Sequence, residues 1–480
     1  MASQKNYAQN QKPNIIFILG DDIGYNTLTV NGGRSYETPN LDSMARNGMN
    51  FTQCQASPMC SPSRVSLLTG KYNFRNYTQW SVMDTAQKTF GNIFKNAGYA
   101  TGWFGKWQLD GGETSIRKFG FDSYCVFDPF EYCVANKYKN PRIYTNGAFV
   151  PDSQNSGKYG EDIFTDSAMN FIERNKSVPF LLYYPMGLAH VPFQPTPDDA
   201  AYASWNSTTA GDTTYYPSMI KYMDKKIGQI LNKVKALGIE NNTLIIYCGD
   251  NGTPANISQY IDGDSLITGG KSTTTEFGTH VPLIMYWPNT IAAGSINNDL
   301  IDFTDFLPTF AGVANLQIPS GYAPVDGVSF SSRLTGGAGT PRSWIFDHYN
   351  PYPGNTKLVR WAQTSVYKLY DTSAYNKQLL FFNISKDINE KTPIADASLT
   401  PAEVAIKQQL LSVIKGYVLQ GVTIFSKPAF SSLTDSAVTL KDTILSNGGS
   451  TITASGFVWS PNPNPTIASS KTANNVKIGT

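Results

Sequence analysis

The sequence predicts an α/β protein: a large mixed sheet, mostly parallel and sandwiched by helices, followed by a smaller C-terminal subdomain of antiparallel sheet and helix. Up to about residue 340, short apolar runs alternate with helical patterns, as in a sheet covered on both faces. The runs are apolar throughout rather than alternating, the mark of strands with both faces buried. After about residue 340 the texture changes to closely spaced strand-like runs and one long helix. The segments expected are 12–340, 341–425, and a partial β-rich appendage over 427–480.

Asn14–Leu19 (NIIFIL) reads as a buried strand that ends at Gly20-Asp21-Asp22. Thr38-Pro39 opens a helix, with Thr38 as N-cap, Pro39 in the first turn, Leu41, Met44 and Ala45 on one face, and Gly48 past the end. Further strands are predicted at 99–104, 179–184, 243–247 and 282–286, and helices near 90–96, 165–174 and 216–237. The last carries Met219, Ile220, Met223, Ile227, Ile230 and Leu231 at helical spacing, with Gly238 as its stop. In the C-terminal part, 343–346, 357–370 and 378–382 read as antiparallel strands and 401–419 as an amphipathic helix. The stretch 456–467 (GFVWSPNPNPTI) resembles part of the fibronectin-like modules appended to secreted bacterial enzymes.

Composition excludes several classes of function. A net charge of +2 with 15% charged residues gives no basic footprint for nucleic acid. No run of 18 apolar residues occurs, so no membrane span is expected. Residues 1–12 are polar and lack an apolar h-region, so no signal peptide is visible in them. Of the five cysteines, Cys125 and Cys133 are near enough in sequence to pair. Cys54 and Cys248 sit in apolar, strand-like runs and are expected to be buried, which leaves Cys60.

Cys60 heads the run Cys60-Ser-Pro-Ser63-Arg64, which leads into the helical pattern of Val65, Leu67 and Leu68. A thiol at a helix N-terminus beside a guanidinium sits where unpaired amide groups and the helix dipole favour an anion. Asp21-Asp22 and Asp250-Asn251 each follow a predicted strand, at the end where open α/β sheets bind their ligands. Either pair alone would read as a turn or a cap. Together they form a hard-oxygen set suited to Ca²⁺ or Mg²⁺, whereas three histidines without ligand spacing argue against zinc.

From Lys12 to Thr309 the chain resembles a type I, formylglycine-dependent sulfatase of the alkaline phosphatase superfamily. The matching pieces, in order, are Pro13–Asp22, Thr38–Asp42, Cys60–Arg64 with Leu68-Thr69-Gly70, and Gly105-Lys106-Trp107. They continue with Ala189–Phe193, Gly249–Gly252, Gly269-Gly270-Lys271, and Asp305–Thr309. The resemblance implies that a maturation enzyme converts Cys60 to formylglycine, whose hydrate attacks sulfur with one hydroxyl and expels sulfate with the help of the other. It implies that Asp21, Asp22, Asp250, Asn251 and the modified Cys60 hold a divalent cation, Ca²⁺ or else Mg²⁺. Arg64 would stabilise the hydrate, Lys106 and Lys271 would bind sulfate oxygens, and His190 would serve the leaving alcohol. The family commonly has His where this chain has Gln108, a residue that cannot act as a base near neutral pH.

The implied substrate is a sulfated carbohydrate or an aryl sulfate, and the implied setting is periplasmic or secreted. Two rival readings stay open: a phosphonate monoester or phosphodiester hydrolase of the same superfamily, and an inactive carbohydrate-binding relative.

Overall fold

In the computed structural model, strand β1 (Asn14–Gly20) is buried at every residue. Its side chains alternate between two cores. Ile15, Phe17 and Leu19 enter one, while Ile16 and Ile18 enter the other. The structure describes residues 12–109, 112–130, 136–353, 358–373 and 378–420, and beyond them the backbone of short strands between 423 and 471.

The other elements used below are helix α1 (Pro39–Arg46), strand β2 (Met49–Gln55), α2 (Cys60–Thr69), α3 (Phe90–Asn96), β3 (Ala100–Gly105) and β4 (Ser123–Phe127). They continue with α4 (Gly160–Asn175), β5 (Phe180–Pro185), α5 (Tyr216–Ala236), β6 (Thr243–Gly249), β7 (His280–Tyr286) and α6 (Phe306–Val313). The central sheet runs β2-β7-β6-β1-β5-β3-β4, with short strands added at both edges. β1 is parallel to β5 and β6, and β3 to β5 and β4, whereas β7 runs antiparallel to β2 and β6. Helices α2, α3 and α6 cover one face, and α1, α4 and α5 the other. This is the mixed, mostly parallel sandwich that the apolar runs predict.

Four strands follow as a separate antiparallel sheet in the order β8 (Ile345–Tyr349), β9 (Val359–Gln363), β10 (Tyr367–Tyr370) and β11 (Leu380–Asn383). The expected strand 357–370 is therefore a hairpin, turned where the Thr364 amide donates to the Tyr367 carbonyl. By its contacts the chain divides into units 1–403 and 404–480, and this sheet belongs to the first. Helix α7 (Pro401–Gln420) spans that division, and in the second unit Thr423–Phe425 pairs with Ile444–Asn447 and Ala429–Leu433 with Val438–Lys441. Apart from the strand Val458–Trp459, the fibronectin-like stretch 456–467 lies outside the described residues, as does Cys133. Cys54, Cys125 and Cys248 are buried free thiols.

β2 is absent from the strands predicted above, although the run around Cys54 reads as strand-like. Its sequence MNFTQCQ is half polar, yet it pairs with β7 and buries Phe51 and Cys54. The cap of α1 also differs from expectation. The Thr38 hydroxyl is taken up with Thr29 and makes no cap bond. Asp224 of α5 does that work, accepting from the Asn40 amide at 3.0 Å and the Leu41 amide at 2.9 Å. A buried carboxylate from a distant helix thus satisfies the first turn of α1 and ties it to α5. Replacing it should destabilise the fold by about 1–2 kcal/mol. An Asp224→Ala variant should show that loss as a lowered urea midpoint, while Thr38→Ala should cost less.

Candidate active site

The register of β1 against β6 pairs Gly20 with Gly249, so the residues just past both strands are neighbours. The Asp250 amide donates to the Gly20 carbonyl at 3.0 Å, and the Asp22 amide donates to Asp250 Oδ1 at 2.9 Å. Asp22 takes the left-handed conformation (φ 62°), which turns its side chain back over the strand ends. Asn251 Nδ2 donates to Asp22 Oδ1 at 2.8 Å. Asp21, Asp22, Asp250 and Asn251 are all fully buried.

Three cations answer the three carboxylates. Lys106, which follows β3, reaches Asp21 Oδ1 and Oδ2 at 2.9 and 2.7 Å. Lys271 donates to Asp22 Oδ2 at 2.6 Å. Arg64, one turn into α2, grips Asp250 Oδ2 through Nε at 3.0 Å and Nη2 at 2.7 Å. Burial pushes the Asp21 carboxyl up, but Lys106, His190, Arg64 and Lys271 together hold it well below the usual range. Asp250 is pushed up to about 6 by burial, against the pull of Arg64. Arg64 and Lys271 are both held above their ordinary values, their carboxylate neighbours outweighing burial.

Cys60 is the first residue of α2 and is 2% exposed. Gln108 Nε2 donates to its Sγ at 2.9 Å. Gln108 lies in the left-handed region (φ 53°), and its carbonyl accepts from the Ser81 hydroxyl at 2.9 Å. His190 Nε2 stands 3.9 Å from Asp22 Oδ2, and its Nδ1 is 2.8 Å from Lys137 Nζ. Burial, with Lys137 adding to it, holds this imidazole well below its ordinary pKa, so it is neutral at neutral pH. Every residue expected from the sequence is therefore brought into one cluster, buried except for His190 and Lys271, which are partly exposed. His280 lies apart, stacked on Tyr25 and bonded to the Thr52 carbonyl.

The donor set fits a hard divalent cation. Ligand atoms of Asp21, Asp22 and His190 fall within 4.8 Å of one another. Asn251 Oδ1 is buried and accepts no hydrogen bond among the described residues, while its amide nitrogen is fixed by Asp22. A carbonyl oxygen oriented in this way beside carboxylates suits Ca²⁺ or Mg²⁺. Position 60 likewise has a spare donor nearby. Arg64 Nη1 is buried without a hydrogen-bond partner among the described residues.

Sequence reasoning missed the groups behind His190. The Tyr138 hydroxyl lies 2.7 Å from the Gly187 carbonyl and 2.5 Å from that of His190. Glu161 accepts from the Gly187 amide at 3.1 Å and from the Tyr184 hydroxyl at 2.7 Å. None of these residues carries a local motif; only the long-range fold assembles them.

The sulfatase family model matches residues 13–316, and that of the N-sulphoglucosamine sulphohydrolase C-terminal region matches 271–416. N-acetylgalactosamine-6-sulfatase of Mus musculus is 33% identical over 385 residues, covering 73% of this chain and 70% of its own. Arylsulfatase G of Rattus norvegicus is 28% identical over 449 residues, covering 81% and 83%. The crystal structure of Ps i-CgsB superposes with a TM-score of 0.71 at 24% identity, covering 84% of this chain and 92% of its own, a likeness of fold.

Glu161 gives the shell behind His190 a pH signature. Burial pushes its carboxyl from 4.5 up to about 7. Below 4.5 the group is protonated in both the folded and unfolded states and costs nothing. As pH rises through 7 the folded protein must ionise a buried group, so stability falls across that window, by about 3 kcal/mol at most. Urea midpoints at either end of the window should show the loss, and Glu161→Gln should flatten it.

Proposed function

The chain belongs to the sulfatase family, as a type I member of the alkaline phosphatase superfamily, and from that premise we propose how this site hydrolyses a sulfate ester and which esters it takes. One observation carries the reading: Cys60 at the start of α2 shares a single buried site with three carboxylates and three fixed cations.

Cys60 is the position of the nucleophile, converted to formylglycine by a maturation enzyme. When formed, the aldehyde hydrate supplies two hydroxyls, one to attack sulfur and one whose loss of a proton expels sulfate. Asp21, Asp22, Asp250 and Asn251, with residue 60, would hold a divalent cation, Ca²⁺ or else Mg²⁺. When bound, that ion would supply Lewis acidity to the site.

The chain's own residues do the rest. Without the ion, the carboxylates are balanced one for one by Arg64, Lys106 and Lys271, so the loaded site is net positive and attracts an anionic ester. Lys106 and Lys271 have flexible stems and bind sulfate oxygens, where negative charge grows in the transition state. Arg64 stays clamped on Asp250 and turns its unused Nη1 to the oxygens of residue 60. His190 Nε2, on a neutral ring, gives a hydrogen bond to the bridging oxygen, where negative charge grows as the alcohol leaves, and the alcohol takes its proton from water. Gln108 orients residue 60 by donating to it, and because an amide cannot take the proton released with sulfate, another acceptor takes it.

The substrate class proposed is a sulfated carbohydrate, as the name of the N-acetylgalactosamine-6-sulfatase relative suggests, and the setting proposed is periplasmic or secreted. Specificity is proposed to come from the segments near 110–160 and 195–215, where Phe130 and Phe149 are exposed aromatic rings that suit a sugar.

Peptide mass spectrometry across residue 60 tests the nucleophile. After co-expression with a formylglycine-generating enzyme, turnover should track the fraction of Cys60 converted, and Cys60→Ala should lower kcat by about 10⁴-fold or more. Full turnover by an unmodified thiol would refute the mechanism. A second comparison sets 4-nitrophenyl sulfate against an aryl phosphonate monoester. The sulfate should show the higher kcat/KM, and the reverse preference would favour a phosphonate hydrolase.

A further inference from the structure

The segment 269–275, which carries Lys271, has no regular secondary structure. Its first half is tied to both halves of the site. The Lys271 amide donates to the Thr253 carbonyl at 2.9 Å, two residues past Asn251. The Ser272 amide donates to the Pro58 carbonyl at 2.9 Å, two residues before Cys60. Its second half is held from elsewhere, by the four-stranded sheet. The Lys368 ammonium on β10 donates to the Thr274 carbonyl, and the Tyr370 hydroxyl lies 2.8 Å from Thr274 Oγ1 and 3.2 Å from the same carbonyl. Glu390 neutralises the lysine at 3.0 Å and accepts from the tyrosine. Lys368 is fully buried, Tyr370 and Thr274 nearly so, and the rings of Trp361 and Tyr370 flank the ammonium at 4.8 and 5.2 Å.

We propose that Lys368 and Tyr370 are positioning residues for Lys271: by fixing the main chain at Thr274 they set where the Lys271 ammonium stands over the sulfate site. This rests on the reading of Lys271 as a sulfate contact. Burying an ion pair commonly consumes as much as the pair's attraction returns, so apolar side chains of similar volume would hold the sheet equally well. Apolar side chains cannot donate to a main-chain carbonyl, and Thr274 is the carbonyl that Lys368 is spent on. Gln55 and Gln363 repeat the pattern two residues later, at Glu276. They donate to the two oxygens of Glu276, from β2 at 2.9 Å and from β9 at 3.1 Å, so the chain beyond Lys271 is fastened to both sheets. A loop pinned at Thr253, Pro58, Thr274 and Glu276 leaves Lys271 little freedom except in its own side chain.

A double-mutant cycle on the full chain tests this, read out as inorganic sulfate affinity by calorimetry and as kcat/KM on 4-nitrophenyl sulfate. Lys368→Met should weaken sulfate binding and lower kcat/KM by about tenfold each. In a Lys271→Ala background the same change should add less than about twofold to either loss. Tyr370→Phe, a milder change, should show the same dependence on Lys271 and carries the test if Lys368→Met does not fold. Unchanged sulfate affinity, or an equal loss with Lys271 absent, would overturn the proposal and mark these residues as structural only. A wild-type protein that binds sulfate with this coupling yet hydrolyses no sulfate ester would instead overturn the reading of the reaction.

Discussion

Three buried carboxylates cannot share one pocket unless fixed positive charge accompanies them, and that requirement shapes the rest of this site. Asp21, Asp22 and Asp250 are fully buried, so each would be strongly penalised if it stood alone. Their partners come from widely separated parts of the chain: Arg64 from α2, Lys106 from the end of β3 and Lys271 from an irregular loop. The charges divide unevenly. Asp21, facing several cations, is held well down, while Asp250 is lifted toward neutrality by burial and by its acidic neighbours. A site of this kind is poised to exchange ammonium contacts for those of a metal ion and an anionic ester.

The parallel sheet makes the arrangement geometrically cheap. β1 and β6 are adjacent and in register, so one step past each strand delivers the acidic cluster without any special loop. β3 and β5 are also neighbours, and the Lys106 amide is fixed on the Pro185 carbonyl at 2.7 Å. Gly105 is required there: its φ is 116°, and a Cβ would meet the Pro185 oxygen at 2.1 Å. Beneath this layer the aromatic core is dense. Phe17 packs on Tyr183, Phe306 and Phe310, and Trp103 on Trp107 and Tyr183. The strand ends are thereby given a rigid floor on which small errors of placement are resisted.

Much of this was legible in the sequence because the chemistry sits at strand ends and the strands are continuous apolar runs. Asp21-Asp22 and Asp250-Asn251 follow such runs directly, and Cys60 precedes a plain helical pattern. What was not legible depends on partners far away in the chain. β2 is half polar because its polar residues meet other elements, Gln55 donating to Glu276 for example, so only the run around Cys54 reads as strand-like. Thr38 has the composition of an N-cap, but Asp224 lies closer to the free amides and takes them. His190 reads alone as a core histidine. Lys137, Tyr138 and Glu161, which hold its loop, are joined to it only by the tertiary fold.

The central claim is that the strand-end oxygens of this chain are a divalent-cation site, for which Asn251 Oδ1 is already oriented. Metal content after gel filtration, measured by inductively coupled plasma mass spectrometry on the wild type and on Asp21→Asn and Asp250→Asn, tests it directly. The account predicts one tightly held divalent ion per wild-type chain, and little or none in either variant at the same protein concentration. A wild-type protein that retains no divalent ion after loading, or variants that retain as much as the wild type, would contradict it.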